Sequence, residues 1–230
     1  MTKALTFLIV FCYAYAAKAQ VKDSLITSNK INSYILPTSL VVGGITLNAL
    51  EKNKPLKSFK SVPSTLDYMH YSTAALGILA PVTGTPSKNS FIDRSIYLSA
   101  GFVLSSAITL PLKKSMGVLR PDGSDNKSFP SGHATTAFAM AQWLREEYKA
   151  SCPLLSYSGY LIATASSISR VSYHKHHLAD VLMGAGIGML STKAIYSLFP
   201  NGFSKSNNKH ITLYPISSKE TYGLTMAIVF

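Results

Sequence analysis

The sequence reads KKSMGVLRP at residues 113–121, PSGH at residues 130–133 and SRVSYHKHHLAD at residues 169–180. These three stretches contain lysine, arginine, histidine and carboxylate side chains, which are the groups that bind and transfer a phosphoryl group. A phosphate monoester is doubly negative at neutral pH, and attack on phosphorus is helped by fixed cations and N–H donors around its oxygens. The pattern therefore predicts one phosphate-sized site built from three separate parts of the chain.

Five residues are candidates for binding the phosphate. Arg120 and Arg170 can each donate two parallel hydrogen bonds to phosphate oxygens, and Lys113 adds a point charge. Ser131 and Gly132 are expected to begin a helix, where unpaired N–H groups and the positive end of the dipole attract anions. Gly132 would also let the backbone approach the anion closely.

His176 has the features of a nucleophile. Asp180 follows four residues later, one helical turn away, so its carboxylate can accept the Nδ1 proton and leave Nε2 facing phosphorus. The neighbouring His174 and His177 are expected to be peripheral to this pair.

The motifs K-x6-RP, PSGH and SR-x5-H-x3-D, in this order, resemble the signature of the type 2 phosphatidate phosphatase and vanadium haloperoxidase superfamily. The resemblance covers roughly residues 94–192. It implies that the histidine matching His176 forms a phosphohistidine intermediate and that the one matching His133 protonates the leaving oxygen. An imidazole with a pKa near 6.5 suits that acid role. No metal or other cofactor is implied, because the lysine and arginines stabilise the charge.

Each motif also has an ordinary structural alternative. Lys113 beside Lys114 could be an interfacial pair that flanks a helix. The PSGH tetrapeptide could be a loop that leads into a helix cap. Arg170 and Asp180 could form a structural ion pair. The presence of all the motifs at the family spacing favours the phosphatase-type site over these alternatives.

A zinc site in the histidine cluster is a further alternative. Closely spaced histidines such as His174, His176 and His177 do bind metals, and Asp180 could complete the set. The surrounding arginines would repel a divalent cation, however, and no second ligand group is near in the sequence. The sequence therefore favours a site without a metal.

The composition favours a helical protein associated with a membrane. Hydrophobic residues make up 47% of the chain and charged residues only 14%, against about 25% in an ordinary soluble domain. Several charge-free windows are near the length that crosses about 30 Å of hydrocarbon; they are residues 31–50, 68–87, 95–112, 128–144, 150–169 and 181–192. These windows predict an all-α, membrane-associated bundle of five or six helices. Because the mean hydropathy is only +0.19, the buried helices of a soluble bundle are the alternative.

The motifs are distributed so that they meet at one end of this bundle. The first follows the third window, the second opens the fourth, and the third lies between the fifth and sixth, so antiparallel neighbours bring them together. Beyond the bundle, residues 211–215 and 222–230 are rich in β-branched and aromatic residues, which predicts a short β-like tail. The predicted organisation is a signal peptide at 1–19, a phosphatase domain at 20–208 with its motif core at 94–192, and a tail at 209–230.

The first residues resemble a cleaved secretory signal. Lys3 precedes an apolar run at residues 4–17, and Ala17 and Ala19 form a small-x-small pattern before Gln20. Cleavage would remove two lysines and lower the formal charge from +12 to +10. For an exported chain whose basic residues are spread over the loops, this charge favours anionic lipid head groups as partners and disfavours nucleic acid.

The predicted side of the membrane depends on how many windows cross it. A cleaved signal leaves Gln20 outside, so three crossings would place residues 113–121 in the cytoplasm. If the window at residues 68–87 does not cross, the site faces the periplasm and the basic loop stays inside, as the positive-inside rule prefers; the lysines of that loop are Lys52, Lys54, Lys57 and Lys60. The inner membrane is the favoured location.

The predicted function is hydrolysis of a phosphate monoester or diphosphate on a membrane lipid. Lipid A is the favoured substrate class, and undecaprenyl diphosphate is the other. The alternatives are a soluble secreted acid phosphatase of broad specificity, a vanadate-dependent haloperoxidase, for which the chain is short, and a non-enzymatic membrane protein that retains a degenerate site. The last has little support, because no motif position departs from the family pattern.

Overall fold

The structure is a computed structural model that describes residues 28–50, 68–203, 210–218 and 221–229 of the 230. The predicted signal peptide and the predicted basic loop lie outside these residues.

The described residues form six α-helices and one hairpin. The helices are α1 (Ser28–Leu50), α2 (Tyr71–Leu79), α3 (Phe91–Met116), α4 (Gly132–Tyr148), α5 (Pro153–Ser172) and α6 (Leu178–Leu198), with a 3-10 turn at Ala80–Thr83 after α2. Strands β1 (His210–Ser218) and β2 (Thr221–Val229) pair antiparallel. The predicted all-α bundle with a β-like tail is confirmed.

Capping residues and a proline set the boundaries of α3 and the start of α5. Ser90 caps the start of α3, where its hydroxyl accepts a hydrogen bond from the Asp93 N–H at 3.2 Å. Gly117 ends α3 in the left-handed conformation, with φ of 58°, which glycine adopts without strain. Pro153 occupies the first turn of α5, where its missing N–H costs nothing.

Glycines on α6 allow α4 and α1 to pack closely against it. A Cβ on Gly184 would lie 2.6 Å from the carbonyl oxygen of Ser131, and one on Gly188 would lie 2.2 Å from that of Thr135. On another face, a Cβ on Gly186 would lie 2.8 Å from the carbonyl oxygen of Pro37. These contacts leave no room for a side chain, so the start of α4 lies directly against the start of α6.

The helices alternate in direction, and this includes the segment that contains α2. Tyr34 near the start of α1 bonds to Ser197 near the end of α6 at 2.6 Å, so these two helices are antiparallel. The ring of His70, just before α2, lies beside the ring of His133 at the start of α4. At the other end of α4, the N–H of Lys88 donates to the carbonyl of Glu147 at 2.9 Å. Residues 70–88 therefore run from one end of the bundle to the other.

The window at residues 68–87, the candidate for a segment that does not cross the membrane, thus connects the two ends of the bundle. Helix α2 alone is 9 residues, about 14 Å at 1.5 Å per residue, which is less than the hydrocarbon thickness. The 3-10 turn and the extended residues that follow it supply the remaining length. The window is long enough to connect the two ends because a short helix is followed by a turn and non-helical residues. The apolar length of the sequence alone does not show this combination.

Among the residues that the structure describes, three helical segments are long and apolar enough to cross a membrane: Ser33–Leu50, Phe91–Met116 and Leu178–Leu198. Large apolar side chains also remain on the outside of the bundle, such as Leu36 at 60% exposed, Val103 at 63% and Leu161 at 73%. Such a surface is unfavourable in water and favourable against lipid. These observations support association with a membrane.

Candidate active site

The PSGH motif forms the start of α4. Ser131 is the cap residue, and its hydroxyl accepts a hydrogen bond from the Ala134 N–H at 3.4 Å. The backbone N–H of Ser131 donates to the carbonyl of Asp180 at 2.9 Å, which joins the second motif to the third. A Cβ on Gly132 would meet nothing within 4 Å. Packing within the protein therefore does not require glycine here, and the open space beside it is available to a ligand.

His176 and Asp180 form a buried pair, although His176 lies just before α6 and only Asp180 lies in its first turn. His176 is 2% exposed and Asp180 is fully buried. The Nδ1 of His176 lies 3.3 Å from Oδ2 of Asp180. The N–H of His177, the cap residue of α6, donates to the same oxygen at 2.8 Å. The expectation that His177 is peripheral is therefore wrong, because this residue helps to hold the carboxylate.

Arg120 lies next to the other nitrogen of the His176 ring. Its Nη1 is 3.5 Å from Nε2 of His176 and donates to the carbonyl of Lys175 at 3.3 Å. Its Nε donates to Oδ1 of Asp125 at 2.8 Å. Two anchors therefore hold the guanidinium group at the nitrogen that the sequence predicted to face phosphorus.

Lys113 and Arg170 approach the site from two different helices. The Nζ of Lys113, near the end of α3, donates to the carbonyl of Lys127 at 2.6 Å. Arg170 is buried near the end of α5. Its carbonyl accepts from the N–H groups of Lys175 at 3.0 Å and His176 at 3.3 Å, so the backbone of α5 fixes the loop that carries His176.

The surroundings of His176 favour its neutral form. Burial lowers the pKa of His176 to about 4, and the positive charges of Arg120 and Lys113 contribute in the same direction, whereas Asp180 opposes the shift. At neutral pH the ring is therefore uncharged. With the Nδ1 proton directed to Asp180, Nε2 carries no proton and keeps the lone pair that a nucleophile requires, facing the guanidinium group of Arg120.

A second ion pair fixes the loop in front of the site. Lys175 donates to Oδ2 of Asp122 at 2.7 Å. Burial opposes ionisation of Asp122, but the hydrogen bonds from Lys175 and Ser124 outweigh it and lower the pKa of Asp122 to about 2. The first and third motifs are thus connected by a charge pair as well as by the Arg120 contacts.

A cleft of about 290 Å³ opens between α2, α3 and α4. Its polar end contains Lys113, Gly132 and His133, and its other lining includes Phe102 and Leu110 on α3. The buried ring of His70 forms part of the wall and lies edge-on to the ring of His133, with 5.6 Å between ring centres. The cleft brings His133, the predicted leaving-group acid, and Lys113, a predicted phosphate-binding cation, to one space.

Four contributors to the site were not predicted. Asp122, Asp125 and Ser128 lie in the loop between the first two motifs, and His70 lies more than forty residues before them. The turn residues PDGS at residues 121–124 indicate a tight loop, but residue type alone gives no partner for these side chains. Within the described ranges, no three His, Cys, Asp or Glu side chains are grouped so that they could hold a metal ion.

Comparison with known proteins agrees with this geometry. Residues 94–204 match the model of the PAP2 superfamily. A lipid A 1-phosphatase from Porphyromonas gingivalis is 42% identical over 90 residues, which are 39% of this chain and 20% of that protein. A candidate phosphatidate phosphatase from Drosophila melanogaster is 37% identical over 91 residues, 36% of this chain and 24% of the relative. The matches thus span about a quarter or less of the length of these curated relatives.

The structure also aligns with a solved structure, that of a transmembrane PAP2-type phosphatidylglycerolphosphate phosphatase from Bacillus subtilis. The TM-score is 0.43 and the identity is 19%, and the alignment covers 90% of this chain and all of that one. The family match itself includes all eight motif residues; they are Lys113, Arg120, Ser131, Gly132, His133, Arg170, His176 and Asp180. Residues 94–204 of this chain form a PAP2 superfamily domain.

Proposed function

We propose that this protein is a phosphatase that removes phosphate from a membrane lipid. The observation that carries the proposal is the position of Nε2 of His176, which belongs to a neutral ring and lies 3.5 Å from the guanidinium group of Arg120. A nucleophilic nitrogen beside a fixed cation is the arrangement that attack on a phosphate monoester requires.

The reaction would proceed in two displacement steps. In the first, Nε2 of His176 forms a bond to phosphorus while the bond from phosphorus to the lipid oxygen breaks, and His133 gives its proton to that oxygen. Asp180 accepts the hydrogen bond from Nδ1 and stabilises the positive charge that develops on the ring. In the second step a water molecule attacks the phosphohistidine, His133 takes a proton from that water, and phosphate and neutral His176 are released.

The remaining motif residues would hold the phosphate oxygens. Arg120, Arg170 and Lys113 supply fixed positive charge, and the first N–H groups of α4, beginning at Ser131 and Gly132, supply neutral donors. These groups need not move during the reaction, which lowers the cost of stabilising the charge that develops. The proposal uses no metal ion.

A lipid substrate is supported by the surroundings of the cleft. Phe102 and Leu110 lie on α3, which is long and apolar enough to span a membrane, and they continue from the charged end of the cleft. A phosphate bound at Lys113 and His133 would thus leave its lipid chain against an apolar wall. We favour lipid A, because of the Porphyromonas gingivalis relative, over undecaprenyl diphosphate. Mass spectrometry of lipid A and of polyprenyl phosphates, from cells with and without the protein, tests both substrates directly.

Simple measurements distinguish the alternative functions from the proposed one. A soluble acid phosphatase would be released by high salt or osmotic shock without detergent. A haloperoxidase would brominate an acceptor when vanadate and peroxide are supplied. A non-enzymatic protein would hydrolyse neither lipid phosphates nor a chromogenic phosphate ester, and this result would overturn the proposal.

We propose further that the site faces the periplasm. Since the helices alternate, two arrangements are compatible with this side. If the bundle crosses the membrane, the start of α1 lies in the cytoplasm, which does not fit a signal cleaved before Gln20. If the signal is cleaved, the bundle rests on the periplasmic face and both of its ends are outside.

Cysteine labelling distinguishes these arrangements. Cys152, a free thiol before α5, lies at the end away from the site, and an Asn126→Cys variant places a thiol on the exposed loop at the site end. Both would be tested in a Cys12→Ser background with a membrane-impermeant maleimide on spheroplasts. Labelling of position 126 alone indicates a crossing bundle, labelling of both positions indicates a peripheral one, and labelling of Cys152 alone would overturn the periplasmic side.

A further inference from the structure

Ser128 is joined to both members of the buried His176–Asp180 pair. This serine lies in the loop between α3 and α4, outside the three motifs, and is fully buried. Its hydroxyl donates a hydrogen bond to Oδ2 of Asp180 and lies 3.5 Å from Nδ1 of His176. We propose that Ser128 is a positioning residue that orients the Asp180 carboxylate toward His176; this inference rests on the proposed phosphatase function.

The direction of the hydrogen bonds follows from the chemistry of the groups. An ionised carboxylate only accepts, so the hydroxyl of Ser128 must be the donor to Asp180. The same oxygen also accepts from the backbone N–H of His177 at 2.8 Å and faces Nδ1 of His176 at 3.3 Å. With Ser128 and His177 fixing the carboxylate, the Nδ1 proton of His176 is directed to Asp180 and the Nε2 lone pair is directed away from it.

The backbone of Ser128 is also held, so its hydroxyl is a fixed donor. Its N–H donates to the carbonyl of Val118, just after α3, at 2.9 Å. Its carbonyl lies 3.5 Å from Nζ of Lys113, whose shorter bond is to the carbonyl of Lys127. The loop that faces the phosphate-binding lysine thus also supports the carboxylate behind the nucleophile. A supporting residue of this kind keeps the reacting group in its productive geometry.

The kinetic consequence follows from this support. Without the hydroxyl, the carboxylate keeps its bond to His177 but loses one of its donors in a buried site, so it no longer holds the His176 ring in one orientation. Hydrogen-bond partners that orient metal-binding side chains typically contribute about 10-fold to 100-fold to activity, and we expect a loss of similar size for this supporting serine. The loss should affect attack on phosphorus rather than binding, because the Ser128 hydroxyl contacts Asp180 and His176, which lie outside the cleft lining, and the substitution leaves the backbone carbonyl near Lys113 in place.

The test compares three variants of Ser128 in the full-length protein in detergent, with a chromogenic phosphate ester. For Ser128→Ala we expect kcat and the single-turnover rate of phosphoenzyme formation to fall by about 10-fold to 100-fold with KM within about twofold. Ser128→Cys has a similar shape but a weak donor, so it should lose as much activity as the alanine variant. It replaces Ser128→Ala in the test if the alanine variant does not fold. Ser128→Thr keeps the hydroxyl and should recover most of the rate.

A matched control separates positioning from packing. Ser156 is also fully buried, at the far end of the bundle, and its hydroxyl donates to the carbonyl of Pro153 at 2.7 Å. Ser156→Ala should leave kcat unchanged. The proposal is overturned if Ser128→Ala and Ser128→Cys retain the normal rate, if the loss appears in KM alone, or if Ser156→Ala loses as much. Absence of any phosphoenzyme or turnover in the unsubstituted protein would instead refute the phosphatase function.

Discussion

Nη1 of Arg120 lies 3.5 Å from Nε2 of His176, although 56 positions separate the two residues in the sequence. The contact brings a permanent positive charge to the nitrogen that would attack phosphorus. Asp125 and the carbonyl of Lys175 hold the guanidinium group in place. A phosphate that displaced this direct contact would bridge the two groups, with its oxygens on the arginine and its phosphorus at the histidine.

Removal of the nucleophile should abolish the reaction. We expect His176→Ala to show no turnover and no phosphoenzyme after acid quench and mass spectrometry, because the proposed mechanism assigns the attack to Nε2 of His176, the nitrogen that lies beside Arg120. His174→Ala is the control and should remain active, since His174 belongs to the same loop but is not assigned a step. A near-normal rate for His176→Ala would exclude the phosphohistidine mechanism.

The low pKa of His176 predicts activity in mildly acidic solution. Because this pKa is about 4 in the folded protein, the nucleophile stays neutral through pH 5, and its protonation should reduce kcat/KM only as the pH falls toward 4. A pH-rate profile with a substrate of constant charge measures this limb. Loss of activity already near pH 6.5, with the protein still folded, would contradict the neutral buried ring.

The same pKa predicts how stability depends on pH. The unfolded chain binds a proton at His176 near pH 6.5, whereas the folded protein does so only near pH 4. The unfolded state therefore binds more protons in this window, so the free energy of unfolding should fall as the pH is lowered from 6.5 toward 4. Thermal unfolding in detergent across this range tests the sign, and His176→Phe should weaken the dependence.

Asp125 should matter for activity more than for stability. The Arg120–Asp125 pair is partly exposed, with the Asp125 side chain at 41%, and such pairs contribute about 1 kcal/mol or less. Asp125→Ala frees the guanidinium group, so we expect kcat/KM to fall by roughly 10-fold, about 1.4 kcal/mol, with little change in unfolding. Lys149→Ala, which breaks a similar pair with Glu146 at the far end, should change neither. If Asp125→Ala and Lys149→Ala are equally active, Asp125 does not anchor Arg120 for catalysis.

Gly188 should be intolerant of any side chain. Its Cβ would lie 2.2 Å from the carbonyl oxygen of Thr135, so Gly188→Ala must separate α6 from α4, and overpacking of this kind costs about 1–3 kcal/mol. Because the PSGH motif begins α4, activity should fall together with stability. Gly43→Ala in α1, where a Cβ meets nothing within 4 Å, is the matched control and should unfold as the unsubstituted protein does. Tolerance of Gly188→Ala would show that the two helices can separate without cost.

Inhibitors should distinguish the anion site from a metal site. Orthovanadate resembles the transition state of phosphoryl transfer, so we expect it to inhibit competitively through Lys113, Arg120 and Arg170. EDTA should leave the rate unchanged, because charge stabilisation comes from these side chains. Loss of activity in EDTA that zinc restores would favour a metal site around the histidine cluster.

The sequence alone was sufficient to propose the chemistry, because the candidate residues lie in motifs of fixed spacing. A separation of four residues brings His176, which lies just before α6, beside Asp180 in the first turn of that helix. Ser131 and Gly132 likewise mark the start of α4, because the serine caps the helix and the glycine is its first residue. The apolar windows likewise predicted five or six helices, and the order of the motifs along antiparallel helices predicted that they meet at one end.

Contacts between distant residues depended on the tertiary structure. The support of Asp180 by Ser128, the anchoring of Arg120 by Asp125 and the wall that His70 adds beside His133 all join parts of the chain that no periodic pattern connects. The neutral state of His176 arises from burial, which sequence spacing does not measure. The direction of residues 70–88 was likewise set by packing, since a short helix, a turn and an extended piece together span the bundle. Sequence determined which groups are candidates for the site, whereas close packing determined how they are oriented and charged.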